Sequence, residues 1–197
     1  ANANSGIRFI RTDLADNPII QASVDNVYST ERSTDLKQGN AEIKTVEHLL
    51  AAVSGASIDN LIIEVDNIEI PILDGSAKEF SELITSTGVS DLTENKKFFE
   101  ITRKISFTDD ETGTTLTATP ADEFQIEVEI DYDSKTLGIQ HANLRSISDF
   151  NKEIASSRTF CFLHELESLI ENNLIKGGNL NNAIVVVEKE IEKDKLN

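Results

Sequence analysis

The sequence predicts an α+β fold made of two successive units, each combining a mixed β-sheet with helices. Three patterns predict it. Short β-branched or alternating runs read as half-buried strands, most clearly where Leu61, Ile63 and Val65 alternate with Ile62, Glu64 and Asp66. Between such runs stand stretches with apolar residues at i, i+3, i+4 and i+7, the spacing of one helix face. The order then recurs loosely after a polar, glycine-containing connection, Thr87 to Lys96, which separates a first unit (1–92) from a second (97–197). A duplicated ancestral unit would give this order.

Taken along the chain, Gly6 to Ile10 is strand-like, and Ile19 to Tyr28 offers two more short extended pieces. Ser29 to Lys44 is polar and carries the turn signal Gly39-Asn40. A helix follows Thr45, a good N-cap residue, and ends at Ser54-Gly55. Asn60 to Ile70 is the clearest strand region, broken by Pro71 and by Asp74-Gly75-Ser76, a turn whose serine caps the next helix. That helix, Lys78 to Ser86, places Phe80, Leu83 and Ile84 on one face. In the second unit, strands are expected at Phe98–Phe107, Thr114–Thr119 and Phe124–Tyr132, with turns at Asp109 to Gly113 and around Pro120-Ala121-Asp122. Ser148 is placed to cap a short helix through Ala155, and Arg158 to Phe162 is a brief apolar segment. Leu163, Leu166, Leu169 and Ile170 then form a helical stripe that stops at Asn172-Asn173. Lys176-Gly177-Gly178-Asn179 reads as a loop and Ala183 to Val187 as a strand.

Composition bounds the function. At 197 residues, 39% hydrophobic and 27% charged, the chain can bury a core in each unit. No apolar run approaches the roughly 18 residues of a membrane-spanning helix. A net charge of −17 argues against a nucleic-acid backbone or an anionic membrane as partner, although a local basic site for an anionic substrate is compatible with it. Cys161 is the only cysteine, which rules out an intrachain disulfide or a cysteine-rich zinc site and fits a reducing cytosol. The sequence contains no methionine, opens on Ala-Asn-Ala-Asn-Ser-Gly and closes on a mixed-charge run. These ends predict a piece of a longer protein.

The chemistry concentrates in Thr45-Val46-Glu47-His48-Leu49-Leu50-Ala51-Ala52-Val53. Val46, Leu49, Leu50 and Val53 form an apolar stripe, and Glu47, His48, Ala51 and Ala52 fall on the other side. Two alanines in place of Lys, Arg or Gln are expected to leave room for a ligand beside the Glu–His pair. Such a pair suits metal-assisted hydrolysis, with His binding a Lewis-acidic ion and Glu taking a proton from water. The same dipeptide also fits an ordinary solvated surface. Ser76 is not read as a nucleophile, because no His is placed to activate it.

Five segments in register resemble the UDP-3-O-acyl-N-acetylglucosamine deacetylase family of lipid A biosynthesis. They are Ser33-Thr34-Asp35-Leu36, Ile43 to His48, Glu69 to Ser76, Ser157 to Phe162 and Lys176 to Val185. The resemblance implies a two-domain sandwich with the active site between the domains, and a zinc-dependent removal of acetate from the glucosamine nitrogen of a UDP-linked acylated sugar. It implies Glu47 as general base, His48 as a zinc (Zn2+) ligand, and Thr159 as the hydroxyl that steadies the tetrahedral oxyanion. It also implies that a β-α insert, about 161–187, forms an apolar passage for the acyl chain, lined by Phe160, Leu166, Ile175, Gly178, Asn179 and Val185. The implied setting is the bacterial cytoplasm, and some members of the family continue into a fused dehydratase domain.

The resemblance implies that the remaining zinc ligands come from a later helix carrying a His with an Asp at i+4. No histidine here has Asp at i+4: His48 is followed by Ala52, His141 by Arg145 and His164 by Ser168. His141 reads as lying in a loop, and His164 with Glu167 is a conceivable but solvent-facing pair. The family's opening strand pair is also not found before Ala1. The expectation is therefore that the parent protein is an enzyme, while these 197 residues alone hold zinc poorly and turn over little substrate. The alternative is a catalytically dead binding or scaffold relative with the same fold.

Overall fold

The computed structural model describes residues 1–166 and 181–188. Its first part runs β1 (Ile7–Arg11), β2 (Ile19–Gln21), β3 (Val27–Ser29), β4 (Asp35–Gln38), β5 (Ala41–Ile43), α1 (Glu47–Gly55), β6 (Leu61–Val65) and α2 (Lys78–Thr87). The second runs β7 (Ile105–Thr108), β8 (Thr115–Ala118), β9 (Ile126–Asp131), β10 (Ile139–Leu144), α3 (Phe150–Glu153), β11 (Phe160–Phe162) and β12 (Ile184–Val186). The mixture of small sheets and helices is the α+β class that the sequence predicts.

Strand β1 is central to the first sheet, antiparallel to β2 and parallel to β6. Phe9 lies opposite Ile20, and both are fully buried. The polar stretch 29–44 folds into strands that its composition hides. There β3, β4 and β5 form an antiparallel meander, with Leu36 opposite Ile43. Gly39, at φ +60°, opens the two-residue loop from Gln38 to Ala41, the place where a II′ hairpin turn favours glycine. The two sheets meet over Phe9, Ile20, Leu36, Ala41, Ile43, Val46 and Ile70.

The apolar stripe of α1 behaves as its spacing requires. Val46 and Val53 are buried, and Leu49 and Leu50 pack against the sheet cluster. Two expectations for this helix are corrected. Thr45 is not its N-cap: Val46 holds that position without a side-chain cap, and Thr45 sits in the left-handed region at φ +59°. The Thr45 hydroxyl donates to Glu69 Oε1 at 2.8 Å instead of accepting from the helix N–H groups. Nor do the alanines leave an open approach. Ala52 is fully buried in a second cluster with Ala77, Leu144, Phe150 and Ala155, and Ala51 packs against it. Small residues there let chain from beyond residue 97 approach the helix closely.

Among its described residues the second part shows three strand pairs. β7–β8 and β9–β10 are antiparallel, and β11–β12 is parallel. The strand expected at Phe98–Phe107 is confined to its end, with Phe98 and Phe99 exposed. Strand β10 was not foreseen, since Gln140, His141 and Asn143 interrupt its apolar pattern. His141 is therefore in a strand rather than a loop, with Nδ1 3.3 Å from Glu129 Oε2. The helix expected from Ser148 is a 3-10 turn, Ile147–Asp149, running into α3, and Ser148 does not cap it. The helical stripe after Leu166 and the Lys176–Asn179 loop lie outside the described residues.

Phe150 closes the second cluster by lying on Gly55. A Cβ at Gly55 would stand 2.1 Å from Phe150 Cδ1. Gly55→Ala is expected to cost about 1–3 kcal/mol through overpacking and Phe150→Ala about 3–5 kcal/mol through the lost ring. Urea denaturation of the double variant should show a loss smaller than the sum of the two, because both act on one contact.

Candidate functional site

The start of α1 is assembled by the loop before β4. Asp35 is buried, and its Oδ1 accepts the Ser33 hydroxyl at 2.7 Å and the Thr45 N–H at 3.2 Å. That holds Thr34 against the helix. Its carbonyl accepts the Val46 N–H at 3.1 Å, and its own N–H donates to Glu47 Oε2 at 2.9 Å. Lys44 bridges in parallel to Glu69, fixing the approach to the helix from the other side. Glu47 and His48 are thus the first two residues of α1, both half-buried, with the carboxylate at the positive end of the helix dipole.

Thr159 lies just before β11 and is half-buried. Its N–H donates to the Gly75 carbonyl at 2.7 Å, and its carbonyl accepts the Ile184 N–H at 3.0 Å. The turn before α2 therefore touches the second part of the chain directly. Ser76 is not the cap expected for α2: Ala77 holds the N-cap position without a side-chain cap, and Ser76, one residue earlier, accepts the Lys78 N–H on its Oγ at 3.1 Å.

The residues assigned to an acyl passage are placed unequally. Phe160 is half-buried on β11, its ring edge-on to Tyr132 and to Phe162, with centroids 5.4 Å and 5.8 Å away. Val185 is half-buried on β12 opposite Cys161, one register position from the Phe160–Ile184 pair, so alternation puts Phe160 and Val185 on opposite faces of the strand pair. Leu166 is half-buried at the end of the 3-10 turn Leu163–Glu165. Ile175, Gly178 and Asn179 lie outside the described residues. His164 is solvent-facing as expected, but Nδ1 stands 3.0 Å from Glu188 Oε2. Glu167 lies outside the described residues.

One long-range ion pair was not legible in the sequence. Arg32, in the loop between β3 and β4, meets Glu165 at 2.6 Å across 133 positions. The Arg32 guanidinium and then the Phe162 N–H hold the Glu165 carboxyl below the usual carboxylate range. Nearby, burial and the Glu165 charge push the Cys161 thiol up, so it is a poor nucleophile. Among the described residues no three His, Cys, Asp or Glu side chains converge as a metal site needs.

The fold and this site define an α+β protein that carries a braced carboxylate beside an imidazole at a helix start, with a threonine held where the two parts of the chain meet. The sequence profile of the UDP-3-O-acyl N-acetylglycosamine deacetylase (LpxC) family matches residues 1–197, and the chain belongs to that family. It is 41% identical over 196 residues to the bifunctional enzyme LpxC/FabZ of Porphyromonas gingivalis, a match that covers all of this chain and 42% of that protein. It is 42% identical over 191 residues to the UDP-3-O-acyl-N-acetylglucosamine deacetylase of Trichormus variabilis, covering 94% of this chain and 68% of that one. Against the deacetylase of Methylococcus capsulatus it is 42% identical over 193 residues, with 94% and 62% covered. The chain thus spans about two-fifths of the length of the bifunctional relatives and about two-thirds of the others. Among the described residues no helix is long and apolar enough to cross a membrane.

The Arg32–Glu165 pair predicts a pH signature. The Glu165 pKa is lowered on folding, so the pair's stabilisation is present above the ordinary value of 4.5 and is lost as pH falls through the folded value. Both partners are partly exposed, which limits the effect to about 1 kcal/mol or less. Urea midpoints taken between pH 6 and pH 3 should fall less steeply in Glu165→Gln than in the parent.

Proposed function

We propose that the protein to which this chain belongs removes acetate from the nitrogen of a UDP-3-O-acyl-N-acetylglucosamine, a step of lipid A biosynthesis in the bacterial cytoplasm. The observation that carries this reading is the Glu47 carboxylate. It is fixed by the Thr34 N–H beside His48, in a chain whose whole length matches the deacetylase family. With Oε2 oriented by that bond, the carboxylate is presented for proton transfer as a general base. Thr159 supplies the donor for the oxyanion that develops on the acetyl carbonyl, its backbone already held on both sides and not in need of ordering when charge develops. The two α+β units, 1–92 and 97–197, face each other as a sandwich. Phe160, Leu166, Ile175, Gly178, Asn179 and Val185 take the acyl chain.

Zinc is part of the proposal through His48 alone. Its other ligands are proposed to come from outside the described residues, among which no cluster of three candidate ligands is found. The relatives named LpxC/FabZ also suggest a fused dehydratase partner for this chain.

In the full-length protein, Glu47→Ala should lower acetate release from the UDP-sugar by on the order of 10²–10⁴-fold, as loss of a general base does. His48→Ala should also empty the protein of zinc, read by elemental analysis after dialysis. The 197-residue chain alone should retain well under one zinc per molecule. Full-length protein that binds the sugar but releases no acetate would favour the scaffold reading instead.

A further inference from the structure

We infer that the Asp74-Gly75-Ser76 turn is the positioning device for the Thr159 hydroxyl, acting through backbone contact across the two parts of the chain. The inference rests on the oxyanion role proposed for Thr159 above. Gly75 is buried at φ +81°, a conformation that side-chain-bearing residues rarely adopt. A Cβ there would stand 1.9 Å from the Asn182 backbone oxygen and 3.2 Å from Thr159 Cγ2. The bare glycine therefore lets the turn enter the space beside β12 and lie against the threonine methyl. With Cγ2 against Gly75, the hydroxyl must take one of the other staggered positions on Cβ.

The turn also fixes the backbone that carries this side chain. The Gly75 carbonyl accepts the Thr159 N–H, while the Asp74 carbonyl accepts Arg158 Nε at 2.8 Å. Asp74 closes the turn from within: Oδ1 accepts the Ser76 hydroxyl at 2.7 Å and the Ser76 N–H at 3.0 Å. Those bonds hold its carboxyl below the usual carboxylate range, so it stays an acceptor at neutral pH. Ser76 is itself fully buried and anchors the turn to α2 through the Lys78 N–H. Two neighbouring residues of β11's approach are thus gripped by two successive carbonyls of one rigid turn. A misplaced donor loses its grip on the transition state long before the fold is lost.

The test is a double-mutant cycle on acetate release by the full-length protein. Gly75→Ala is expected to lower kcat by on the order of 10- to 100-fold, with KM and zinc content held within about twofold. In a Thr159→Ala background the same substitution should cost no more than about twofold, since the group it positions is gone. Asp74→Ala runs the cycle again should Gly75→Ala fail to fold, and Asp74→Asn, which keeps an acceptor for Ser76, should restore kcat. Equal losses with and without Thr159, a loss confined to KM or zinc, or unchanged kcat in both turn variants would overturn the inference alone. Wild-type protein that releases no acetate would overturn the functional reading beneath it as well.

Discussion

Helix α1 is buried from two directions, and most of the structure takes its position from that fact. One side, through Val46, Leu49 and Leu50, belongs to the cluster of the first two sheets. The other, through Ala51 and Ala52, belongs to the cluster that includes Leu144, Phe150 and Ala155. Phe80 of α2 touches both. A nine-residue helix is marginal in water by itself, so its stability must come from this packing. The consequence is geometric: Glu47 and His48 sit at the end of an element referenced to both parts of the chain at once.

Fixing that end has a cost. Thr45 is β-branched and lies at φ +59°, a conformation worth on the order of 1–3 kcal/mol of strain. It persists because both of its hydrogen-bond donors are engaged, the N–H by Asp35 and the hydroxyl by Glu69. Asp35 is a buried carboxylate whose compensation is hydrogen bonding from Ser33 and Thr45. The sharp turn lets α1 begin at once after β5 and aims Glu47 at the Thr34 N–H. Strain at 45 and order at 47 are two sides of the same local geometry.

What the sequence made legible follows from how local each signal is. The stripe of α1, the alternation of β6 and the Gly39-Asn40 turn depend on residues a few positions apart, and all three appear in the structure. Strands β4 and β5 are hidden because each is only three or four residues long, and because β4 buries a carboxylate, Asp35, next to Leu36 instead of alternating. The alanines at 51 and 52 were misread because composition cannot distinguish space for a ligand from space for another part of the same chain. Glu47 and His48 could be recognised as a pair. Their support could not, since it comes from a main-chain N–H at Thr34 and from a buried carboxylate at Asp35 that grips the residue leading into the helix. No spacing rule encodes those.

Among the described residues, an ion pair, an apolar contact and a main-chain hydrogen bond are among the contacts that join residues before the 87–96 connection to those after it, and they do not have equal authority over geometry. The Arg32–Glu165 pair is partly exposed, so two long side chains and solvent share its orientation. The Phe150–Gly55 contact is apolar and sets a distance, but dispersion is tolerant of small rotations. The Gly75–Thr159 contact is a short main-chain hydrogen bond with a steric wall beside it, and both are directional. Separation is thus set by packing and angle by the turn. In the role proposed for it, the Thr159 hydroxyl meets a developing charge and depends on angle, and on that reading a glycine distant in sequence matters more to its orientation than the stronger charges at Arg32 and Glu165.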